Sequence, residues 1–351
     1  MGAGWWATTA HIPALKKHAH AELVGVQKRN LESVRKIASD FDIPHACTTV
    51  EETLAIPGLQ AVVISSTPNC HYEQTKACLE RGLHVLVEKP MTLTVQEARE
   101  LTELAQRNQL HLLISCPWHY TRHGMEARKL IQSGALGQVR FVSILMTNFT
   151  QGLYAGLPWE KIFGQSENLQ NAAKPYLEPG QNSYSDASVA GGGQIYCQVS
   201  HAAAYIGFLL GRPASEVFAR FDNGGTAVDV HDSLSIKLDD GALVSIASTG
   251  ATMLSERNYE VRLYGTEGML LMELWKGTME FHDLNRKVLK QPDLPETEIY
   301  PMGAPAENLI DVVAGRAENG SPGALGLYAM EIIEAACQSV KGNSNVRLGA
   351  S

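Results

Sequence analysis

Between Ala21 and Cys116 short β-branched runs alternate with amphipathic stretches, and this alternation limits the possible folds more than any other feature. Strands are expected at Ala21–Val26, Ala61–Ser66, His84–Val87 and His111–Cys116. Between them Leu31–Asp40, Tyr72–Arg81 and Val95–Asn108 carry apolar residues three and four apart, the spacing of a helix with one buried face. Strands joined through helices form βαβ units, so the sheet is parallel and helices cover both its faces. The unbroken apolar run Ala61-Val62-Val63-Ile64 fits a strand buried on both sides.

A glycine turn opens this series. Gly2-Ala3-Gly4-Trp5-Trp6-Ala7 spells G-x-G-x-x-A ahead of an expected helix, Ala10–His18. Gly2 permits the tight turn, Gly4 lets backbone approach a pyrophosphate, and the small Ala7 allows helix and strand to pack closely. A dinucleotide is therefore the expected ligand. Only Met1 precedes the turn, where a central strand is expected; a chain extended upstream by about five to eight residues would supply it and bind cofactor more tightly. After the second strand, Gln27-Lys28-Arg29 stands where an NAD site carries a carboxylate for the ribose 2′-hydroxyl. Two cations there favour a 2′-phosphate, which predicts NADP over NAD.

After about residue 120 the pattern changes. A helix over Gly124–Gln132 leads into a long strand, Val139–Met146; residues 150–190 are polar with little periodicity; a helix follows at Tyr196–Leu210. Glu216–Phe221, Asp232–Leu238, Leu243–Ser248 and Tyr259–Tyr264 read as strands, with a hairpin turn at Asp239-Asp240-Gly241 and late helices at Ala306–Ala317 and Leu325–Val340. The expected architecture is α/β: a Rossmann domain over 1–120, then an α/β domain over 121–351 built on a mainly antiparallel open sheet. A net charge of -8 leaves no basic stripe for nucleic acid, and no apolar run is long enough to span a bilayer. The six cysteines are scattered without a C-x-x-C pair, as expected of free thiols in the cytoplasm, and no metal site is expected.

Three further segments narrow the reading. Thr67-Pro68-Asn69-Cys70-His71 follows one strand, Glu88-Lys89-Pro90 ends the next, and Gly191-Gly192-Gly193 leads into a helix carrying His201. With the glycine turn, Gly134-Ala135-Leu136-Gly137 and Tyr264-Gly265-Thr266-Glu267-Gly268, the chain resembles the glucose–fructose oxidoreductase / inositol dehydrogenase (Gfo/Idh/MocA) family over essentially its whole length. The resemblance implies an NAD(P)-dependent dehydrogenase or reductase acting on a sugar, inositol or related polyol, and a homo-oligomer, dimer or tetramer. It also implies that Gly2, Gly4, Trp5, Trp6, Ala7, Lys28, Arg29, Thr67, Pro68, Asn69, His71, Glu88 and Lys89 lie along the cofactor. Lys89 at a strand's carboxyl end borders the ligand crevice, where its ammonium would stabilise a developing alkoxide.

His201 is the candidate proton acceptor, because imidazole titrates in the useful range. The family's usual Asp four residues earlier is Cys197, and a later Asp is Ala204. Three readings stay open: His201 as base with Gln194, Gln198 or Lys89 binding hydroxyls; Lys89 alone carrying the proton; or lost activity. The family's Arg-Phe pair appears as His119-Tyr120, preceded by Trp118. Trp118, His119, Tyr120, Tyr184, Gln194 and Gln198, with Asn148 and Tyr176, are the candidate substrate residues, since aromatic faces and amides suit a ligand of C–H faces and hydroxyls. Arg122 and Lys174 leave a phosphorylated substrate open. Two alternatives keep the fold: a redox-neutral glycoside-cleaving enzyme with retained NAD(P), and a non-catalytic sugar or dinucleotide sensor.

Overall fold

The computed structural model describes residues 1–163, 175–253, 256–285 and 287–349. Strands β1 (Gly25–Gln27) and β2 (His45–Cys47) form one parallel pair, and β3 (Ala61–Ile64), β4 (His84–Val87) and β5 (Leu112–Ile114) a second parallel sheet. Met1–Ala3 runs between them: Ala3 N donates to Gln27 O at 2.9 Å, and Ser65 N donates to Met1 O at 2.9 Å. The glycine turn thus starts from the middle of the sheet, as a dinucleotide turn must. Strand β1 begins four residues later than the sequence suggests, at Gly25, because its partner β2 offers only His45–Cys47 for pairing. A three-residue strand is too short to show alternation.

The helices Leu31–Asp40, His71–Glu80 and Val95–Arg107 connect these strands. Asn30 caps the first, accepting Ser33 N–H at 2.8 Å, and Thr94 with Glu97 forms a capping box on the third. Their buried faces (Val34 and Ile37; Leu79; Ala98 and Leu101) pack the sheet.

Among the described residues the second half holds a nine-stranded sheet in the order β13-β12-β11-β10-β6-β9-β8-β7-β14. Its strands are β6 (Val139–Thr147), β7 (Ala214–Asp222), β8 (His231–Leu238), β9 (Leu243–Thr249), β10 (Asn258–Gly265), β11 (Gly268–Glu273), β12 (Thr278–Asp283), β13 (Val288–Lys290) and β14 (Val346–Arg347). All neighbours run antiparallel except β6 and β9. Alternation decides the faces: Leu234, Ile236 and Leu238 point inward, while Ser233, Ser235 and Lys237 point out. Helices Ser200–Leu210 and Gly323–Gly342 cover the inner face; among the described residues no helix covers the outer face.

Helix Ala304–Val313 returns to the parallel sheet, where Ala306 and Leu309 pack with Leu86, Leu113, Ala14 and Leu15. The 121–351 stretch therefore also supplies a helix to the first sheet. Among the described residues no helix is long and apolar enough to cross a membrane.

Candidate active site

A cleft of about 1400 Å³ opens where the carboxyl ends of β1, β3 and β4 face the helix carrying His201. Gly2, Gly4, Trp5 and Trp6 line one end. Gly2 has φ +71°, and a Cβ there would lie 2.4 Å from Ser66 Cα, so only glycine fits this turn. Around Gly4 the space is open, with Gly2 O the nearest neighbour of a notional Cβ at 3.7 Å. Backbone at Gly4 is thus open to close approach by a ligand. Ala7 lies buried behind the turn, packing rather than lining.

Lys28 and Arg29 line the same end, and the Lys28 ammonium donates to Ala3 O at 3.2 Å. Burial first, then the charge of Arg29, lowers the Lys28 pKa from its ordinary value. Thr67, Pro68 and His71 line the cleft; Asn69 is exposed and accepts from the Thr67 hydroxyl at 2.8 Å instead. His71 sits between two strand ends, Nδ1 2.8 Å from Pro90 O and Nε2 3.1 Å from Ser66 O, with its single N–H donating to one of these carbonyls. Burial depresses its pKa, so its ring is neutral.

At the centre, Lys89 Nζ donates to Cys197 O at 2.8 Å, joining strand end to helix across 108 residues. The Lys89–Pro90 bond is cis. Cys197 lies in a π-helical stretch, Ile195–Val199, that runs into Ser200–Leu210; such widened turns recur at functional sites. The contact uses its backbone carbonyl, while its thiol faces Gln198 Nε2 at 3.5 Å. A second π-helical stretch, Ala7–His11, brings the His11 ring to Glu88, Nε2 to Oε1 2.8 Å. Burial alone would raise the Glu88 carboxyl; His11, Ser115 and Lys89 outweigh it and hold the group below its ordinary value, hence ionised.

His201 shares this centre. Burial first, then the Lys89 and His119 charges, push its imidazole well below its ordinary value, so it is neutral near pH 7. Its Nδ1 is buried with no hydrogen-bond partner among the described residues, and the edge of Trp118 meets its ring at 5.1 Å. A neutral imidazole beside an ammonium can accept a proton but has none of the imidazolium's acidity to offer.

The substrate candidates divide. Trp118, Tyr184, Gln198 and Asn148 line the cleft; His119, Tyr120 and Gln194 do not. Pro117–Tyr120 is a 3₁₀ turn, so successive side chains point about 120° apart and one at most faces the cleft. His119 turns back to stack on Phe208 at 4.5 Å and hydrogen-bond Ser321 Oγ at 2.8 Å; burial, then Arg128, drives its pKa down to about 3. Tyr120 donates to Asn308 Oδ1 at 3.2 Å. Gln194 is spent structurally, its Oε1 accepting from Tyr154 at 2.7 Å and Thr150 at 3.1 Å. Tyr176 reaches the first sheet's helix, donating to Asp40 Oδ2 at 2.6 Å. Arg122 is exposed beside Glu298, and Lys174 lies outside the described residues.

The comparisons decide the family. Residues 1–115 match the model of the oxidoreductase family with an NAD-binding Rossmann fold, and residues 125–271 match the GFO/IDH/MocA C-terminal domain. The chain belongs to the Gfo/Idh/MocA oxidoreductase family. This Gfo/Idh/MocA chain is 26% identical to an uncharacterized oxidoreductase of Synechocystis sp. over 78% of its own length and 70% of the relative's. It is 26% identical to the 1,5-anhydro-D-fructose reductase of Ensifer adhaerens, covering 71% of this chain and 68% of that one. It spans only 38% of the length of two Schizosaccharomyces pombe relatives. The crystal structure of GenD2 from gentamicin A biosynthesis, in complex with NAD, superposes with a TM-score of 0.77 at 21% identity, covering 97% of this chain and 93% of that one.

Sequence reasoning missed part of the Gfo/Idh/MocA cleft. Tyr300, Trp275, Arg257 and Trp159 line it, yet each stands alone in turn-rich sequence with no spacing to mark it. Tyr300 packs on Trp118 at 4.5 Å and Trp275 at 5.2 Å, completing an aromatic wall beside His201.

An acid pair, Asp229 half-buried and Asp232 buried, supports the His201 helix. Asp229 accepts N–H from Gly193 at 2.8 Å and Ile195 at 2.6 Å, capping the glycine approach. Beside it Asp232 is buried, and among the described residues no N–H group donates to either of its oxygens. Burial first, then the Asp229 charge and a shared hydrogen bond, raise Asp232 to about 9. The folded protein therefore carries a proton there that the unfolded chain releases above about pH 4. Stability contributed by this site falls as pH rises from about 4 to about 9. Asp232→Asn is expected to raise the melting temperature at pH 8 and flatten its decline above pH 5. A variant with wild-type slope would show that Asp232 is ionised in the fold.

Proposed function

We propose that this protein transfers a hydride between NADP, in preference to NAD, and the CH–OH group of a sugar, inositol or related polyol. The reading rests on one convergence: Lys89, from the end of a cofactor-side strand, and His201, from the second domain's helix, border the same cleft beside an aromatic wall. The relative named as 1,5-anhydro-D-fructose reductase supports a sugar-like substrate.

A bound nicotinamide supplies the carbon that takes or gives the hydride. The chain's own residues do the rest. Gly2 and Gly4 hold the pyrophosphate against backbone, and Lys28 and Arg29 receive the 2′-phosphate. In oxidation the C–H leaves with its electron pair, the carbon–oxygen bond becomes a carbonyl, and the hydroxyl proton passes to His201 Nε2. The Lys89 ammonium stabilises the alkoxide that forms on the way. Trp118, Tyr300 and Tyr184 cover C–H faces and exclude water, while Gln198 binds a neighbouring hydroxyl. The test is nicotinamide absorbance with NADP or NAD against sugars, inositols and their keto forms. Binding of such ligands without any hydride exchange would leave the sensor reading in its place.

One observation favours a second reading, a redox-neutral glycoside-cleaving cycle with retained cofactor. Trp159 packs on Trp5 at 5.5 Å and Tyr176 bonds Asp40 at 2.6 Å, so both side chains reach over to the cofactor-side domain. That reading expects stoichiometric nucleotide released on denaturation and glycoside cleavage without net absorbance change.

We also propose that a second copy covers the open face of the nine-stranded sheet, giving a dimer or tetramer. Phe141, Leu145, Leu243 and Tyr264 are exposed there, with Phe141 paired to Leu243 and to Tyr264 on adjacent strands. A contiguous apolar patch of this kind marks an interface. Leu243→Asp is expected to halve or quarter the mass seen by light scattering; an unchanged mass would place the contact elsewhere.

A further inference from the structure

We propose that Tyr205, one turn beyond His201 on the same helix, is a positioning residue: through buried water it accepts the His201 Nδ1–H and so leaves the Nε2 lone pair facing the cleft. This role rests on the activity proposed above, in which His201 takes the hydroxyl proton.

Within Ser200–Leu210, residues 201 and 205 stand four apart and share one face of the helix. Both side chains reach the 3₁₀ turn Pro117–Tyr120. The His201 ring meets Trp118 at 5.1 Å, and the Tyr205 ring stacks on His119 at 6.0 Å. Tyr259, from β10, joins them, 4.8 Å from Trp118 and 6.0 Å from Tyr205. These touching side chains carry His201 Nδ1, His119 Nε2, Trp118 Nε1, Tyr205 Oη and Tyr259 Oη. All are buried, and none has a hydrogen-bond partner among the described residues. A single buried polar group left unpaired is costly, so a connected set of them points to enclosed water as the shared partner. Gly124 makes room for the phenol: a Cβ there would lie 3.2 Å from Tyr205 Oη and 2.7 Å from Trp118 O.

Electrostatics selects which His201 nitrogen carries the proton. The Lys89 ammonium borders the cleft with His201 and repels positive charge on its ring. A lone pair, not an N–H dipole, is therefore favoured on the nitrogen turned toward the cleft. The N–H then belongs on Nδ1, which is buried and needs an acceptor. Trp118 Nε1 can only donate, whereas a phenol oxygen or a water can accept. Tyr205 is the phenol borne by the same rigid helix, so one element sets the spacing between the base and its partner. Burial raises the Tyr205 pKa, so its hydroxyl keeps its proton and passes a hydrogen bond onward.

The experiment records two-bond ¹H–¹⁵N spectra of the NADP-loaded protein labelled with ¹⁵N-histidine, with His201→Gln to assign the signals. Wild type is expected to show the Nδ1–H tautomer of His201. Tyr205→Phe, which removes one oxygen, is expected to shift population toward Nε2–H. It should also lower kcat for polyol oxidation about tenfold, with KM and NADP affinity within about twofold. Tyr328→Phe removes another buried, unpartnered hydroxyl, on the helix Gly323–Gly342, and is expected to change neither readout. An Nε2–H tautomer in wild type, a Tyr205→Phe spectrum like wild type's, or a changed tautomer with unchanged kcat overturns the role of Tyr205 and leaves the hydride-transfer reading standing. An equal response to Tyr328→Phe assigns the effect to general packing and overturns it as well. If no sugar or polyol exchanges a hydride, the activity reading falls, and the tautomer with its response to Tyr205→Phe decides the positioning on its own.

Discussion

Lys89→Met is expected to lower kcat/KM for polyol oxidation by about three orders of magnitude while NADP affinity stays within a few-fold. The size follows from removing a preorganised cation aimed at a developing alkoxide, a loss comparable to or above that of one oxyanion-hole donor. Methionine keeps the apolar stem and its packing, so the change isolates the ammonium and its 2.8 Å bond to Cys197 O. A second readout separates chemistry from collapse. The Lys89 charge helps depress the His201 imidazole, so its removal lets that pKa rise. His201 accepts protons only above its own pKa, and the acid limb of the residual activity should therefore move to higher pH. Steady-state kinetics over pH 4–8 would check both. Activity within tenfold of wild type would remove Lys89 from the reacting centre, and an unmoved acid limb would remove His201 as the base.

Arg29→Asp combined with Lys28→Ala is expected to reverse cofactor choice, lowering the NADP/NAD ratio of kcat/KM by about two orders of magnitude or more. A 2′-phosphate carries close to two negative charges and gains most from a guanidinium fork. Lys28 already donates to Ala3 O at 3.2 Å and is partly desolvated, so it holds the glycine turn as well as attracting the phosphate. Arg29 is exposed at the cleft's edge and is free to move onto a ligand. Its contribution should therefore be the larger of the two and should weaken with added salt, because exposed charges are screened. Arg29→Ala alone is expected to weaken NADPH binding by about tenfold or more at low ionic strength and leave NADH unchanged. Wild-type protein binding both dinucleotides equally would show that the cations at the end of β1 face solvent rather than a 2′-phosphate.

The sites most legible in the sequence were those made by consecutive residues. The glycine turn, the strand-end Thr67-Pro68 and Glu88-Lys89 pairs and, from the glycine approach to His201, Gly192 line the cleft, because each motif carries its own backbone requirement. Reading stopped short where neighbours in sequence diverge in space. Trp118 and His119 are adjacent, yet a 3₁₀ turn sends one to the cleft and the other onto Phe208. Gln194 looked like a hydroxyl ligand, but a buried amide must be hydrogen-bonded, and Tyr154, Thr150 and Ser248 claim it. Nothing local distinguishes a structural amide from a ligand amide.

Local rules, acting within one helix turn or one strand, were enough for the α/β class, the parallel first sheet, the mainly antiparallel second one and the dinucleotide turn. Periodicity and glycine stereochemistry operate over a few residues, so the linear order carries them. The meeting of Lys89 with Cys197, of His11 with Glu88, and of Trp118 with Trp275 and Tyr300 was decided only by tertiary packing. Those contacts join segments brought together by burial of separate hydrophobic faces, and burial is a non-directional force that leaves no mark at either partner's position in the chain.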